Sequence, residues 1–317
     1  MPQHEETMTA LAAFPKLTST GTDLDLNTVD WLEDSSDAID DPGELRRRME
    51  ERGYLYVKGL LNRDTVLDAR RSVCERLAAD GYLDPSRDLM DAVWAKDKIV
   101  KFKPDYATGN QRVERLIYGP DMMGFFDRFF GKPALHYDFT WLRAVCPGSG
   151  TASHCDIVYM GRGEREQLFT CWTPLGDIDF AQGGLCVLEG SHKFNPLKQS
   201  YGRHDVDTTC TNKTDDHGWN SERHWFDNFK SSGASLGNDP NHIRQVVGGT
   251  WRTGEFQAGD ALIFSMYTVH ASLDNHSDRI RLSTDSRYQP QGTVQDERWI
   301  GTNPLGHSKA GQRGRIC

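Results

Sequence analysis

The feature that most constrains this chain is a rhythm that begins near residue 135. Short apolar segments recur there between turn residues, at 135–146, 153–160, 167–174, 185–188, 249–255, 261–269 and 279–288. Segments of this length, bounded by Gly, Pro, Asn and Asp, read as the strands of a sandwich or barrel. No helices alternate with them, which sets aside a parallel βαβ sheet. Upstream the pattern is different. Residues 44–52 are charged and helix-prone, Gly53 stops them, and Tyr54-Leu55-Tyr56-Val57 reads as a short strand. Asn62 caps a second helix, in which Val66, Ala69, Val73 and Leu77 form an apolar stripe of the kind that packs into a core. A third helix is predicted over 121–130, ahead of Gly131-Lys132-Pro133. The polar, acidic residues 1 to about 40 read as an arm with little structure of its own. Residues 195–247 interrupt the strand rhythm, and a loop of that length inside a domain is usually functional or disordered.

Composition narrows the class without naming a chemistry. The 317 residues can bury a full core, and 37 basic against 46 acidic side chains give a net charge of −9. With no basic block to neutralise phosphates, the chain is not expected to bind nucleic acid. No apolar run approaches a membrane span, and the first ten residues lack a signal-peptide pattern, so a cytoplasmic protein is expected. Seven unpatterned cysteines fit reduced thiols.

Chemistry enters at Thr151-Ala152-Ser153-His154-Cys155-Asp156-Ile157-Val158-Tyr159. Read as a strand, it projects His154 and Asp156 to one face as neighbouring metal ligands. A His-x-Asp pair is common by chance and gains weight only from a third ligand. The candidate is His270, 114 residues after Asp156, at the end of the apolar segment 261–269. Two histidines and one carboxylate would occupy one face of a ferrous ion and leave the other open for substrate and O2. His192, His204, His217, His224 and His242 fall in or beside loops, where solvation explains them. After His270 a turn leads into Arg279-Ile280-Arg281-Leu282-Ser283-Thr284-Asp285. Alternation puts Arg279, Arg281, Ser283 and Asp285 on one face, Ile280 and Leu282 on the other. A charged inner face needs partners, and a guanidinium can hold a carboxylate through two parallel hydrogen bonds. Parity alone does not separate Arg279 from Arg281.

With these residues in order, the sequence resembles the phytanoyl-CoA dioxygenase-like family of Fe(II)/2-oxoglutarate oxygenases. The resemblance rests on His154-Cys155-Asp156, on Gly183-Gly184-Leu185-Cys186-Val187-Leu188-Glu189-Gly190-Ser191-His192, on His270 followed eleven residues later by Arg281, and on the entry from Gly53-Tyr54 to Leu60-Leu61. It implies a mainly β fold with flanking helices around a double-stranded β-helix (jelly roll, cupin-like) core. That core would span a single domain at 44–290, with an N-terminal arm at 1–43, a lid-like insertion at 195–247 and a C-terminal tail at 291–317. It implies catalytic iron on His154, Asp156 and His270. Arg281 would hold the far carboxylate of 2-oxoglutarate, Ser283 would complete an Arg-x-Ser pattern, and Ser272 and Trp172 would lie beside that co-substrate. The implied reaction hydroxylates a small molecule and releases succinate and CO2. Asp156 stands against halogenation, since related halogenases carry a small residue there. Cys155 departs from the glutamine frequent in the family, and 195–247 matches no family motif, so both are candidate substrate contacts. Two other readings stay open: a cupin-like metal-dependent hydrolase or isomerase, which would have no need of Arg281, and a silent binding protein of the same fold.

Overall fold

A computed structural model describes residues 14–210, 222–224, 230–232 and 234–315, and two facing sheets form its centre. In chain order the strands are β1 (Val29–Trp31), β2 (Tyr54–Val57), β3 (Ala134–His136), β4 (Trp141–Val145), β5 (Thr151–His154) and β6 (Phe169–Pro174). They continue as β7 (Leu185–Leu188), β8 (Trp251–Thr253), β9 (Ala261–Ser265), β10 (His270–Ser272) and β11 (Arg281–Pro290). One sheet runs β1-β8-β7-β10-β5. The other runs β2-β9-β6-β11-β3, with β4 also paired to β11. Within these sheets only β1 and β8 pair in parallel. This is the expected jelly-roll arrangement.

The two-residue period of a strand explains the layering. Leu55 and Val57 of β2, Cys171 of β6, Ile263 of β9 and Leu282 of β11 face outward, onto helices α1 (Pro42–Arg52), α2 (Arg63–Ala79), α3 (Gln111–Tyr118) and α4 (Pro120–Phe130). Their neighbours Tyr54, Tyr56, Trp172, Leu262 and Phe264 turn the other way and meet Leu185 and Val187 of the opposite sheet. The helix boundaries follow local chemistry. Asp41 caps α1 at Glu44 N–H, Asn62 caps α2 at Thr65 N–H, and Gly53 closes α1 with φ +85, a left-handed conformation that costs glycine little. Among the described residues no helix is long and apolar enough to cross a membrane.

Four segments differ from expectation. Of the segment 153–160 only Ser153 and His154 are strand, the end of β5; Asp156 has helical backbone angles (φ −68, ψ −21) and opens a helical turn, Ile157–Met160. The Ile157 N–H is taken by the carbonyl of Met266 (3.0 Å), so tertiary bonding overrides the β preference of Ile-Val-Tyr. The segment 261–269 ends as a strand at Ser265. The chain then crosses to the other sheet, its exit fixed by the Thr268 N–H on Ser265 and the Val269 N–H on the Ser191 hydroxyl. His270 therefore begins a strand rather than ending one. The segment 135–146 is two strands, and β11 starts at Arg281, leaving Arg279 outside it.

The insertion at 195–247 lies partly outside the described residues, including Trp219, Trp225, Phe226 and Phe229, its aromatic candidates for a lid. Its described part holds short helices at Asn195–Gln199 and Pro240–Val247. The tail returns to the body: Arg313–Arg315 pairs in parallel with Thr208–Cys210. Arg298, fully buried, bonds Asp296 (2.6 and 2.9 Å), Asp207 (2.5 Å) and Asp205 (3.1 Å).

Candidate active site

His154, Asp156 and His270 come together between the sheets, with ligand atoms all within 4.8 Å of one another. Each imidazole Nε2 stands 3.7 Å from Asp156 Oδ1, and the two rings are 4.2 Å apart at their centroids. β5 and β10 are adjacent, and their register sets His154 opposite His270. Asp156 reaches the same point because the chain turns helical after His154, not by strand alternation. Cys155 points away. It is fully buried in the outer core, and its thiol donates to the carbonyl of Tyr267 (3.3 Å), so it does not face the site.

The far side of each group fixes its chemistry. His154 Nδ1 lies 2.8 Å from the carbonyl of Ala152, and His270 Nδ1 lies 3.0 Å from that of Thr268. A carbonyl can only accept, so Nδ1 carries the proton and Nε2 offers its lone pair to the centre. Burial, reinforced by the neighbouring His270, pushes the His154 imidazole down to about 3, and burial lowers His270 as well. On Asp156 burial alone would raise the carboxyl. Arg287 and the two imidazoles, with a bond from Thr170, outweigh it and hold the group far below the usual carboxylate range. The Thr170 hydroxyl (2.5 Å) and Arg287 Nη2 (2.7 Å) both donate to Asp156 Oδ2. Oδ1 is left facing the histidines. Thr170 and Arg287 sit opposite each other on β6 and β11. Two neutral imidazoles and one ionised oxygen, each held from behind, are the donor set and outer support that a ferrous ion takes.

The inner face of β11 carries Arg281, Ser283, Asp285 and Arg287 in a row. At about 3.3 Å per residue the first and last stand roughly 20 Å apart at Cα. Arg281 is 2 % exposed and donates to the carbonyl of Gly183, while its Nε and the Ser283 hydroxyl have no hydrogen-bond partner among the described residues. Arg279 is half exposed, and its side chain lies 3.9 Å from the carboxylate of Asp278. Strand parity leaves these two arginines equivalent and the eleven-residue spacing after His270 selects Arg281; burial also sets the two apart. Trp172 faces inward across from Asp285 and packs edge-on to Phe256 with centroids 4.7 Å apart. Ser272, inward on β10, accepts the Thr151 N–H (2.8 Å).

A cavity of about 350 Å³ opens onto His154 and Asp156, lined also by Lys101, Phe102, Trp141, Arg143, Tyr159, Met160 and Arg287. Several of these escaped the sequence reading. Arg287 was findable, since the parity that selects Arg281 and Asp285 continues to it. Thr170 was not, because a threonine in an apolar strand reads as an ordinary β-former. Lys101 and Arg143 carry no local signal. Arg143 is held by Asp285 (2.8 Å), and Lys101 donates to the carbonyl of Gly150 (2.6 Å).

Residues 49–283 match the family model described as phytanoyl-CoA dioxygenase (PhyH). A curated relative, the 1-deoxypentalenic acid 11-beta-hydroxylase of Streptomyces exfoliatus, is 26% identical over 277 residues, covering 81% of this chain and 84% of that protein. The solved non-heme alpha ketoglutarate dependent carbocyclase SnoK from nogalamycin biosynthesis superposes with a TM-score of 0.55 at 19% identity, over 82% of this chain and 86% of that one. The epimerase SnoN, solved with Fe3+, alpha ketoglutarate and nogalamycin RO, gives 0.50 at 20% identity, over 83% and 88%.

Proposed function

The chain belongs to the phytanoyl-CoA dioxygenase (PhyH) family of Fe(II)/2-oxoglutarate-dependent oxygenases, and from that premise we propose that it hydroxylates a small organic molecule, with release of succinate and CO2. His154, Asp156 and His270 hold the iron in this reading, and the iron, when bound, supplies the activation of O2. Each neutral Nε2 and the ionised Oδ1 need no proton removed before they bind a cation at neutral pH.

The observation that carries the reading is Arg281. A guanidinium buried between two sheets, bonded to one backbone carbonyl and with Nε unmet, is costly unless an anion completes it. A metal-dependent hydrolase would have no use for it, whereas a dicarboxylate anchored near the metal extends its second carboxylate along the same row. Ser283 adds a hydroxyl to that carboxylate, and Ser272 and Trp172 bound the co-substrate's sides. The relative's name supports hydroxylation as the outcome, while the carbocyclase and epimerase neighbours supply only the fold. The test is substrate-stimulated succinate release by the iron-loaded protein under air across a compound panel. It is coupled to calorimetry of 2-oxoglutarate binding without O2. Failure to bind 2-oxoglutarate overturns the reading.

A further inference from the structure

Arg287 is 1 % exposed, and among the described residues only Nη2 of its three guanidinium nitrogens has a hydrogen-bond partner, Asp156 Oδ2; Nε and Nη1 have none there. The group is held in place all the same, with its Cζ over the Trp141 ring at 4.2 Å. It lines the cavity that opens onto His154 and Asp156. A buried donor without an acceptor costs free energy, so a cavity wall built this way is complementary to a ligand oxygen.

Charge points the same way. Lys101, Arg143, Arg281 and Arg287 face Asp156, Asp274 and Asp285 around the site, four cations against three anions. Iron(II) adds two positive charges and the co-substrate removes two, so the loaded site keeps an excess of one, the charge of a single carboxylate. Much of the remaining wall is apolar or aromatic, from Phe102, Trp141, Ala152, Tyr159 and Met160, with Thr151, Ser235 and His307 as its polar members. We propose that the organic substrate is an apolar carboxylate whose carboxyl accepts from Arg287, next to the metal ligands. This rests on the oxygenase reading above, which assigns the co-substrate's own carboxylate to Arg281. Arg287 would then both position Asp156 and select the substrate.

The experiment uses the full-length protein with iron(II) and saturating 2-oxoglutarate, without O2, so that binding is read and no turnover occurs. Calorimetry compares a bulky and a slender probe, adamantane-1-carboxylate and decanoate, each with its neutral primary amide. The carboxylate should bind about tenfold or more tightly than its amide, the effect of one charge-assisted hydrogen bond. Arg287→Gln should erase that preference, read as the carboxylate-to-amide ratio within the variant so that any change in iron loading falls on both probes alike. The wild-type ratio needs no variant, so it stands even if Arg287→Gln fails to fold. Equal affinities, no carboxylate binding, or a preference that survives in Arg287→Gln would each overturn the proposal, as would a carboxylate that competes with 2-oxoglutarate. A protein that fails to bind 2-oxoglutarate would instead sink the oxygenase reading, and the carboxylate-to-amide ratio would still report on Arg287.

Discussion

His154 and His270 carry their protons on Nδ1 because a backbone carbonyl faces each of them, and burial keeps both rings neutral in the folded chain. Unfolded, they take up protons near pH 6.5. The unfolded state then binds more protons, so stability rises with pH through this range. Metal-free protein should therefore melt at progressively lower temperature as pH falls from about 7 toward 5, and His154→Gln should flatten that slope. A wild-type melt independent of pH over this window would contradict the assignment. Asp156 acts in the same direction at lower pH: its stabilising contribution is present above the unfolded value near 4 and lost below it. Asp156→Ala and His270→Ala should each abolish succinate release and weaken iron binding, read by equilibrium dialysis. Arg281→Ala should raise the apparent KM for 2-oxoglutarate by about ten- to a hundredfold, the scale of one charged hydrogen bond or more, while half-exposed Arg279→Ala should barely move it. The reverse order would require a different register for β11.

At the scale of elements, the loop carbonyl that receives Arg281 belongs to a tightly constrained glycine. Gly183 has φ +71, and a Cβ there would meet the carbonyl of Asp274 at 2.4 Å. Gly183→Ala should destabilise the protein by about 2 kcal/mol or more, from backbone strain and clash together. It should also weaken 2-oxoglutarate binding, and urea unfolding with calorimetry separates the two effects. The glycine pair was visible in the sequence, as were the strands whose period is clean: β7 lies at the expected residues and β6 within two. The helix ends were legible because caps are local chemistry, as at Asn62 and Gly53. The sequence misread the places where a bond from far along the chain decides. Asp156 joins the histidines through a helical turn pinned by Met266, a residue 110 positions later. β11 was legible as a row of alternating charges, but its start was not, because Arg279 and Arg281 differ only in what surrounds them.

For the whole molecule, the tail is part of the body. Arg298 ties Asp296 of its own segment to Asp205 and Asp207, which precede the strand that pairs with Arg313–Arg315. Replacing it with Met takes the guanidinium from the fully buried Asp207 and Asp296 carboxylates, a change that costs about 3–5 kcal/mol where one partner of a buried ion pair is removed, while Asp205 keeps Arg162. Arg298→Met should lower the urea midpoint accordingly; a midpoint within error of wild type would mean that the network contributes nothing net. His307, on the same tail, bonds Asp207 (2.8 Å) and lines the site cavity, so this variant should also change which compounds stimulate turnover.

The Asp156 carboxylate spans the two sheets, one oxygen toward the histidines and the other on Thr170 and Arg287. Its consequence is historical as well as mechanical. A descendant that lost the carboxylate would inherit a buried cation with nothing to neutralise it, and one that lost Arg287 would inherit an under-supported ligand. Neither single step is neutral. Positions 156 and 287 should therefore be kept or abandoned together across the lineage, a correlated pattern that an alignment of homologues can reveal.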